Sequence, residues 1–238
     1  FTGLQIGSFF ATMGVASLFM PAVMGIIADR WIPAQKLLGI CHLVSGGFLI
    51  AAASQTAYGP LYSCMLLSVM FYMPTIALSN SVAYNALDLA RLDTVKHFPP
   101  IRVWGTVGFI AAMWFVDLTH IGGVQIKLTE WQLYVSAVLS FLLSVYSFSL
   151  PGCPVDRNVK ARSWVDTLGL RAFTLFKEKR MAIFFVFSML LGAALQITNA
   201  FGDSYIQSFG SMPQYADSAI VKHSVILLSL SQMSETFC

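Results

Sequence analysis

Two pairs of polar side chains interrupt apolar stretches in the second half of the chain. Gln196 and Asn199 follow the apolar run 181–194, and Gln232 and Glu235 repeat the same three-residue spacing near the end of the sequence. Residues three apart lie on one face of a helix. Carboxamides donate and accept hydrogen bonds at once, and a carboxyl group kept neutral by desolvation can exchange a proton. The pairs therefore predict a cavity that binds a polar solute, with Glu235 as the candidate for proton coupling.

A third polar group enters an apolar run near the middle of the chain. Arg102, Thr106 and Phe109 are spaced i, i+4, i+7 and therefore share one helix face. Together they offer a charge, a hydroxyl group and an aromatic ring to a flat polar solute, and Gly105 and Gly108 allow a close approach of the backbone. In the alternative interpretation, Arg102 extends to the membrane surface and Phe109 only packs against a neighbouring helix.

The polar pairs have a second interpretation, as hydrogen bonds that hold neighbouring helices together. Such contacts contribute only about 0.6 to 2 kcal/mol each in membrane proteins. Polar groups at membrane depth almost always face the interior of the bundle, where they pair or bind something. Asp203 lies one turn beyond Asn199 on the same face. Because consecutive antiparallel helices each present a polar pair, we favour a common cavity.

Enzymatic chemistry finds no support in the sequence. HExxH and GxSxG are absent, and the His and Cys residues are not clustered. The four cysteines, at positions 41, 64, 153 and 238, have neither CxxC nor metal spacing, so we interpret them as small apolar residues or free thiols. We therefore expect no enzyme activity, no bound metal and no cofactor.

The composition indicates which elements must position these residues. Of the 238 residues, 57% are hydrophobic and 11% are charged, and the mean hydropathy is +0.72. A soluble domain holds roughly 25% charged residues, so this chain has too little polar surface for a soluble globule. Several stretches of about 20 residues are long enough to cross a ~30 Å hydrocarbon layer as helices, whereas barrel strands are shorter and alternate in polarity. The sequence predicts an all-α, polytopic transmembrane helical bundle.

Six complete spans and a truncated seventh account for the apolar stretches. Pro21 and Pro74 fall inside spans and predict kinks, which a bundle tolerates where neighbouring groups satisfy the backbone. Because the chain begins without Met and opens into an apolar run, we expect a piece of a longer protein. The seventh span begins near Ala219 and stops with the chain at Cys238. The six complete spans cover residues 6–28, 37–53, 61–82, 103–118, 133–150 and 181–205.

Basic residues are divided unequally between the loops. Twelve of the 14 Lys and Arg residues lie in the loops after the first, third and fifth spans, and the other two, Lys127 and Lys222, lie in the loops after the fourth and sixth. Basic loops stay on the cytoplasmic side of a membrane. We therefore expect the loops around 29–36, 88–101 and 152–180 to be cytoplasmic, and an odd number of helices, most simply one, to precede this chain.

The segment 152–180 is the longest of these cytoplasmic loops. Apolar residues recur in it at helical spacing beside basic ones, which is typical of an amphipathic helix that lies at the membrane surface. The alternative is an ordinary basic linker. The apolar positions of this helix are Trp164, Leu168, Ala172, Phe173 and Phe176.

An acidic residue stands at the inner end of the first span. Asp29 follows Gly25 by four residues and precedes Arg30. A carboxylate at a helix C-terminus lies against the helix dipole, so it needs a cation or another helix's N-terminus as a partner, unless water solvates it. The pattern resembles the conformational loop signature of the major facilitator superfamily. It departs from that signature at 31–34, where the superfamily has Gly and two basic residues.

Longer strings narrow the resemblance to one family. The chain resembles the nucleoside:proton symporter family in "FPPIRVWGTVGF", in "KRMAIFF.FSMLLGA.LQITN", in "FMPA" with "GI.AD.W", and in "SQ.SET". The likeness runs through nearly the whole chain and is weakest in "DLTHIGGVQIKLTEW". It implies a twelve-helix transporter of the major facilitator type, of which this chain holds the second to eighth helices. Residues 1–151 then belong to the N-terminal bundle, 152–180 to the linker and 181–238 to the start of the C-terminal bundle.

The resemblance also implies an activity and a site. The family takes up purine and pyrimidine nucleosides together with protons across the bacterial inner membrane by alternating access. We therefore expect this protein to transport a nucleoside such as uridine, as a monomer and without nucleic acid. Only Arg102 offers a strong cation, which suits a neutral nucleoside better than a nucleotide. The residues that match the family's nucleoside site are Arg102, Thr106, Phe109, Gln196, Asn199, Gln232 and Glu235.

Other functions stay open on the sequence. A proton-coupled symporter for another neutral polar solute, such as a sugar, uses similar Asn, Gln and Glu cavities. A seven-helix receptor has the same number of spans, but it predicts an external N-terminus before the first span and leaves the Gly-Asp-Arg loop unexplained. Further contacts to the solute would lie beyond Cys238.

Overall fold

The structure consists of helices joined by short connections. This computed structural model describes residues 1–155, 170–215 and 217–237, and the side chains of 170–173 and 235–237 lie outside the description. In these ranges the only strands are β1 (His120–Ile121) and β2 (Val124–Gln125). The α-helices are α1 (Gly3–Arg30), α2 (Ala34–Ala53), α3 (Tyr58–Leu89), α4 (Thr94–Leu118), α5 (Trp131–Ser147), α6 (Lys179–Ser208), α7 (Ala219–Lys222) and α8 (Ser224–Phe237).

The helices are long and apolar, as a membrane protein requires. Within the described ranges, five of them, α1, α2, α3, α4 and α6, are long and apolar enough to cross a bilayer. Helix α5 and the first eleven residues of α8 are apolar but shorter. These helices confirm the all-α, polytopic prediction. Helix α4 begins well before the predicted start at position 103, because the pair Pro99 and Pro100 lies inside the helix instead of preceding it.

Two compact units make up the chain. The first unit contains Phe1–Phe98 and Glu130–Leu170, and the second contains Pro99–Thr129 and Arg171–Cys238. The boundary inside α4 falls at its proline pair, where two imide nitrogens have no hydrogen to donate to the preceding turn. The division into two bundles joined by the linker 152–180 concerns a complete transporter and stays a prediction.

The first unit has the larger buried core. Helix α2 packs against α3 and α5, and α1 packs against α3. Small residues permit the contact between α2 and α5: a Cβ atom on Gly46 would lie 3.1 Å from the ring of Phe141 and 3.2 Å from Cβ of Ser140. Such residues let membrane helices approach closely. The buried apolar cluster of this unit comprises Met20, Met24, Ala28, Ala34, Leu37, Leu38, Cys41, Leu78 and Val82.

Hydrogen bonds attach the segment after α5 to the start of α2 and to the end of α3. The backbone N–H of Cys153 donates to Oε1 of the buried Gln35 (3.0 Å), and Nδ2 of Asn85 donates to the carbonyl of Gly152 (3.3 Å). Partial burial raises the pKa of the Cys153 thiol. The start of the linker is therefore part of the first unit.

Local sequence explains where several elements begin and turn. Thr2 and Gln5 form a reciprocal capping box at the start of α1. Gly122 and Gly123 have φ of 61° and 83° and connect β1 to β2. A two-residue hairpin turn of this kind needs positive φ at both positions, which glycine adopts without strain. The sequence reading missed this hairpin.

The predicted amphipathic helix lies mostly outside the described residues, including Trp164 and Leu168. Its described part, Leu170–Lys177, forms a 3₁₀-helix. This part contains Ala172 and Phe173, and the ring of Phe176 stacks on that of Phe185 with 4.8 Å between centroids. The amphipathic helix at the membrane surface stays a prediction.

Candidate functional site

Helix α4 holds the first group of predicted site residues. Arg102 and Phe109 are exposed, with half of the Phe109 surface accessible, and Thr106 is half-buried. The helix is continuous through all three, so they form one stripe. The same face continues toward the end of α4 through Met113 and reaches Asp117.

Gly105 has a specific role beside this stripe. An added Cβ atom there would lie 2.9 Å from Nη1 of Arg102, closer than real Cβ contacts allow. The guanidinium group of Arg102 therefore lies over the backbone at Gly105. Gly108, by contrast, has no atom within 4 Å of an added Cβ. Of the two glycines, only Gly105 has a described atom within contact distance of an added Cβ, and that atom is the flexible end of the Arg102 side chain.

Helix α6 carries the second group of predicted site residues. None of its 30 residues, all of which are described, is buried, and Gln196 and Asn199 are both exposed. Asn199 forms no hydrogen bond with the described residues, and neither does Arg102. Within the described residues, Asn199 therefore does not hold two helices together by a hydrogen bond. The interpretation of Asn199 as an interhelical contact does not apply within these residues.

Helix α8 contacts both α6 and α4. An added Cβ atom on Gly202 of α6 would lie 3.1 Å from Cδ2 of Leu228, one turn before the half-buried Gln232. Nε1 of Trp114 in α4 donates to Oγ of Ser229 (2.9 Å). The second unit therefore brings together the three helices that carry the predicted site. Glu235 follows Gln232 in α8, and its side chain lies outside the description.

Sequence reasoning missed a cluster of charged residues at the far end of α4. Asp117 is fully buried, and its two carboxylate oxygens accept hydrogen bonds from Nζ of Lys127 (2.6 Å) and Nδ1 of His223 (2.7 Å). The sequence held two signals for this cluster. Asp117 is an acidic residue at the end of an apolar span, and Lys127 is one of only two Lys or Arg residues in the loops predicted to lie outside. The break at His223 between α7 and α8 was also not predicted.

Asp203 bonds beside this cluster, apart from Gln196 and Asn199. Its carboxylate accepts hydrogen bonds from Oγ of the buried Ser224 and from Nε2 of Gln207, the latter at 2.7 Å. The sequence placed Asp203 on one face with Gln196 and Asn199. In the structure, Asp203 accepts a hydrogen bond from Ser224 at the start of α8, so its carboxylate is not available to a solute in the way the sequence suggested.

The motif of Gly25, Asp29 and Arg30 at the end of α1 makes fewer contacts than expected. Asp29 is exposed and has no hydrogen bond or ion pair with any described residue, so the expected partner is not found among them. Arg30 lies in the last turn of α1, where a cation is favourable for the helix dipole. An added Cβ on Gly25 would meet no described atom within 4 Å. Close packing therefore does not explain this glycine within the described ranges.

Other potential sites do not coincide with the predicted one. An apolar cavity of about 240 Å³ in the second unit is lined by Ile206, Phe209, Tyr215, Ser218, Ile220 and Val221. It contains none of the predicted site residues. Among the described residues, no three His, Cys, Asp or Glu side chains form a group that could hold a metal ion.

Comparison with known proteins gives a consistent result along the whole chain. The family model described as nucleoside H⁺ symporter matches residues 1–238. The xanthosine permease of Escherichia coli (strain K12) is 50% identical over 235 residues, which cover 99% of this chain and 55% of that protein. The nucleoside permease NupG of the same organism is 46% identical over 236 residues, with 99% and 55% coverage.

Solved structures agree with the sequence comparison. A crystal structure of the nucleoside transporter NupG matches with a TM-score of 0.82 and 46% identity, covering 100% of this chain and 57% of that one. A mutant form of NupG matches with a TM-score of 0.87, again at 46% identity, covering 100% and 58%. This chain spans about half the length of the curated relatives it matches.

Proposed function

Because the chain belongs to the nucleoside H⁺ symporter family, as the resemblance predicted, we propose that the protein transports nucleosides together with protons across a membrane. The observation that carries the proposal is that Gln196 and Asn199 share one face of α6, a helix long and apolar enough to span a bilayer. Polar groups at membrane depth are costly unless they face a cavity or a partner. The relatives supply the solute, since their names are those of nucleoside and xanthosine permeases.

Each predicted site residue has a role that fits its chemistry. The carboxamides of Gln196, Asn199 and Gln232 match the donors and acceptors of a base edge and of ribose hydroxyls. The exposed ring of Phe109 is available to stack on the base, as aromatic side chains do with nucleobases. Thr106 adds a hydroxyl group on the same stripe of α4.

Charge favours a neutral nucleoside over a nucleotide. Arg102 is the only strong cation among the seven predicted site residues, and it stands near the inner end of the α4 stripe. Glu235 is the candidate that takes up and releases the coupled proton. The alternative of a sugar symporter gains no support from the relatives, which are named for nucleosides.

The cellular setting completes the proposal. The protein is a multi-pass protein of the bacterial inner membrane, works as a monomer by alternating access, and has cytoplasmic loops around 29–36, 88–101 and 152–180. In the full-length transporter without its native cysteines, a cysteine at Thr129 would react with an impermeant thiol reagent in intact cells. A cysteine at the exposed Val95 would react only after permeabilisation. The reverse pattern would contradict this orientation.

Uptake assays test the function itself. Cells that express the full-length transporter should accumulate labelled uridine and xanthosine, and a protonophore should abolish the accumulation. Glu235→Gln should also abolish accumulation while it retains part of the equilibrium binding. If binding and accumulation fall together in Glu235→Gln, this residue binds the solute and does not couple it to protons. Uptake of sugars but not of nucleosides would refute the proposal.

A further inference from the structure

A charged cluster around the fully buried Asp117 lies at one end of the second unit. Asp117 accepts hydrogen bonds from Lys127 (2.6 Å) and His223 (2.7 Å) through its carboxylate, and its backbone carbonyl accepts one from Nε2 of Gln125 (2.9 Å). Nζ of Lys127 also donates to the carbonyl of Lys222 (2.8 Å). Three separate stretches of chain therefore meet at one carboxylate.

These contacts connect the helices that carry the predicted site. Asp117 lies at the end of α4, Lys127 follows the β-hairpin, and His223 lies at the break before α8. The adjacent Ser224 donates a hydrogen bond to Asp203 of α6. Helices α4, α6 and α8 are thus tied together at the end that the distribution of basic residues assigns to the outside.

Burial distinguishes this cluster from an ordinary surface ion pair. The side chain of Asp117 is 0% exposed and that of Lys127 is 7% exposed. The neighbouring pair of Lys222 and Asp217 is 55% and 99% exposed. Removing one partner of a buried pair leaves an uncompensated charge and is strongly unfavourable, whereas an exposed pair contributes little. The closed arrangement of this end therefore depends on Asp117 and not on Asp217.

The cluster lies at the end of the polar stripe on α4. Asp117 lies on the same face of α4 as Arg102, Thr106 and Phe109. The outer end of this polar stripe is therefore occupied by the contacts that Asp117 makes with the outer loop and the start of α8. A solute that reaches the stripe from outside has to pass this point.

We propose that Asp117, Lys127 and His223 form an outer lock, which holds α4 to α8 when the transporter is closed to the outside and separates when it opens. The inference rests on the proposed function in one respect, namely that the protein transports by exposing its site to alternate sides. It does not depend on which solute is carried.

Chemical labelling of the full-length transporter tests the lock without any solute. Met113 lies one turn inward from Asp117 on the same face of α4, so Met113→Cys, on a background without native cysteines, reports access from outside. We expect an impermeant thiol reagent to label this cysteine slowly in the parent protein. Labelling should become at least about tenfold faster in Asp117→Asn, because the closed state loses a buried ion pair.

Two further variants make the result specific. Asp117→Asn with Lys127→Gln removes both charges, so no unpaired buried charge remains, and this double variant should also label at least about tenfold faster. Asp217→Asn is the matched control, since it removes a carboxylate from an exposed pair in the same outer region and should leave the labelling rate unchanged.

Several outcomes would overturn the lock. Fast labelling already in the parent protein would show that this end is open, and an unchanged rate in the folded double variant would show that the cluster does not control access. Failure of both charge-removing variants to fold would assign the cluster to holding the bundle together instead. Uridine binding is measured separately: its absence from the parent protein would contradict the proposed function and would leave the labelling result valid.

Discussion

Helices α2 and α6 have similar apolar character but different contacts within this chain, which spans about half the length of the relatives it matches. Ten of the 20 residues of α2 are buried, whereas none of the 30 residues of α6, all of them described, is buried. Helix α2 lies between α3 and α5 in the first unit. Helix α6 belongs to the second unit and contacts α8 through positions such as Gly202.

The difference shows which residues reveal the surroundings of a membrane helix. Apolar side chains face lipid and neighbouring helices equally well, because lipid chains are as apolar as leucine. Small residues such as Gly46 mark a close helix contact, whereas carboxamides such as Asn199 at membrane depth have to face a cavity or a polar partner. Four predictions test this distinction between the packed first unit and the polar face of α6.

The largest expected effect is on the packing of α2. Gly46→Leu would place a branched side chain where even a Cβ lies 3.1 Å from Phe141, so we expect a loss of about 3 kcal/mol or more in stability. The measurement is a melting curve of the full-length transporter in detergent. Gly47→Leu on the same helix is the matched control, because Gly47 is exposed and an added Cβ there meets no described atom within 4 Å, so its melting temperature should stay unchanged.

Equal destabilisation by the substitutions at Gly46 and Gly47 would contradict this prediction. It would mean that both faces of α2 are packed equally closely. A stable Gly46→Leu variant would instead show that the contact between α2 and α5 adjusts to the added volume.

The next effect is on solute binding. Asn199→Ala and Gln196→Ala should each weaken uridine binding by about 5- to 150-fold, because a hydrogen bond lost from a buried complex costs about 1 to 3 kcal/mol. The melting temperature of the Asn199 variant should not change, since Asn199 has no bond to the described residues. Isothermal titration gives the affinity, and a melting curve gives the stability.

A buried serine of the first unit provides the contrasting variant. Oγ of Ser68 bonds to Ser45 at 3.0 Å, so Ser68→Ala should lower the melting temperature and leave uridine affinity unchanged. If Asn199→Ala behaved like Ser68→Ala, Asn199 would be a structural contact in the complete transporter and its binding role would be refuted.

A smaller effect is expected from displacing Arg102. Gly105→Ala places a Cβ 2.9 Å from Nη1 of Arg102 and should shift the guanidinium group from its preferred rotamer. Such a shift costs about 0.5 to 1.5 kcal/mol, or roughly 2- to 13-fold in uridine affinity. Gly108→Ala, where an added Cβ meets nothing within 4 Å, should bind like the parent. Equal affinities for the two variants would support the alternative in which Arg102 extends to the membrane surface.

The smallest effect concerns a turn of the first unit. Arg91 has φ of 55° just after α3, a conformation that glycine adopts without steric cost. Arg91→Gly should therefore raise stability by up to about 1 kcal/mol without changing uridine affinity. Ala90→Gly is the control, because Ala90 has an ordinary helical φ of −78° and its replacement should lower stability. A decrease in both variants would mean that the Arg91 side chain makes a contribution larger than the strain.

The helical architecture follows from the sequence because hydropathy and length act locally. A stretch of about 20 apolar residues has to form a helix in hydrocarbon, where every backbone group needs an internal partner. The same local reasoning fails where tertiary contacts determine where a helix begins or breaks. The pair Pro99 and Pro100 looked like the end of a loop, yet it lies inside α4, and His223 interrupts a span that the sequence reads as continuous.

The faces of the predicted site also follow from the sequence, because residues three or four apart share a helix face in any surroundings. The sequence alone places Gln196 on one face with Asn199, and it places Arg102 on one face with Thr106 and Phe109. The sequence does not show which residues from different helices contact each other. Asp117 and His223 are 106 residues apart, and Asp203 and Ser224 are 21 apart. Only the packing of α4, α6 and α8 decides that these groups meet, because the apolar faces of the three helices fit lipid and one another equally well.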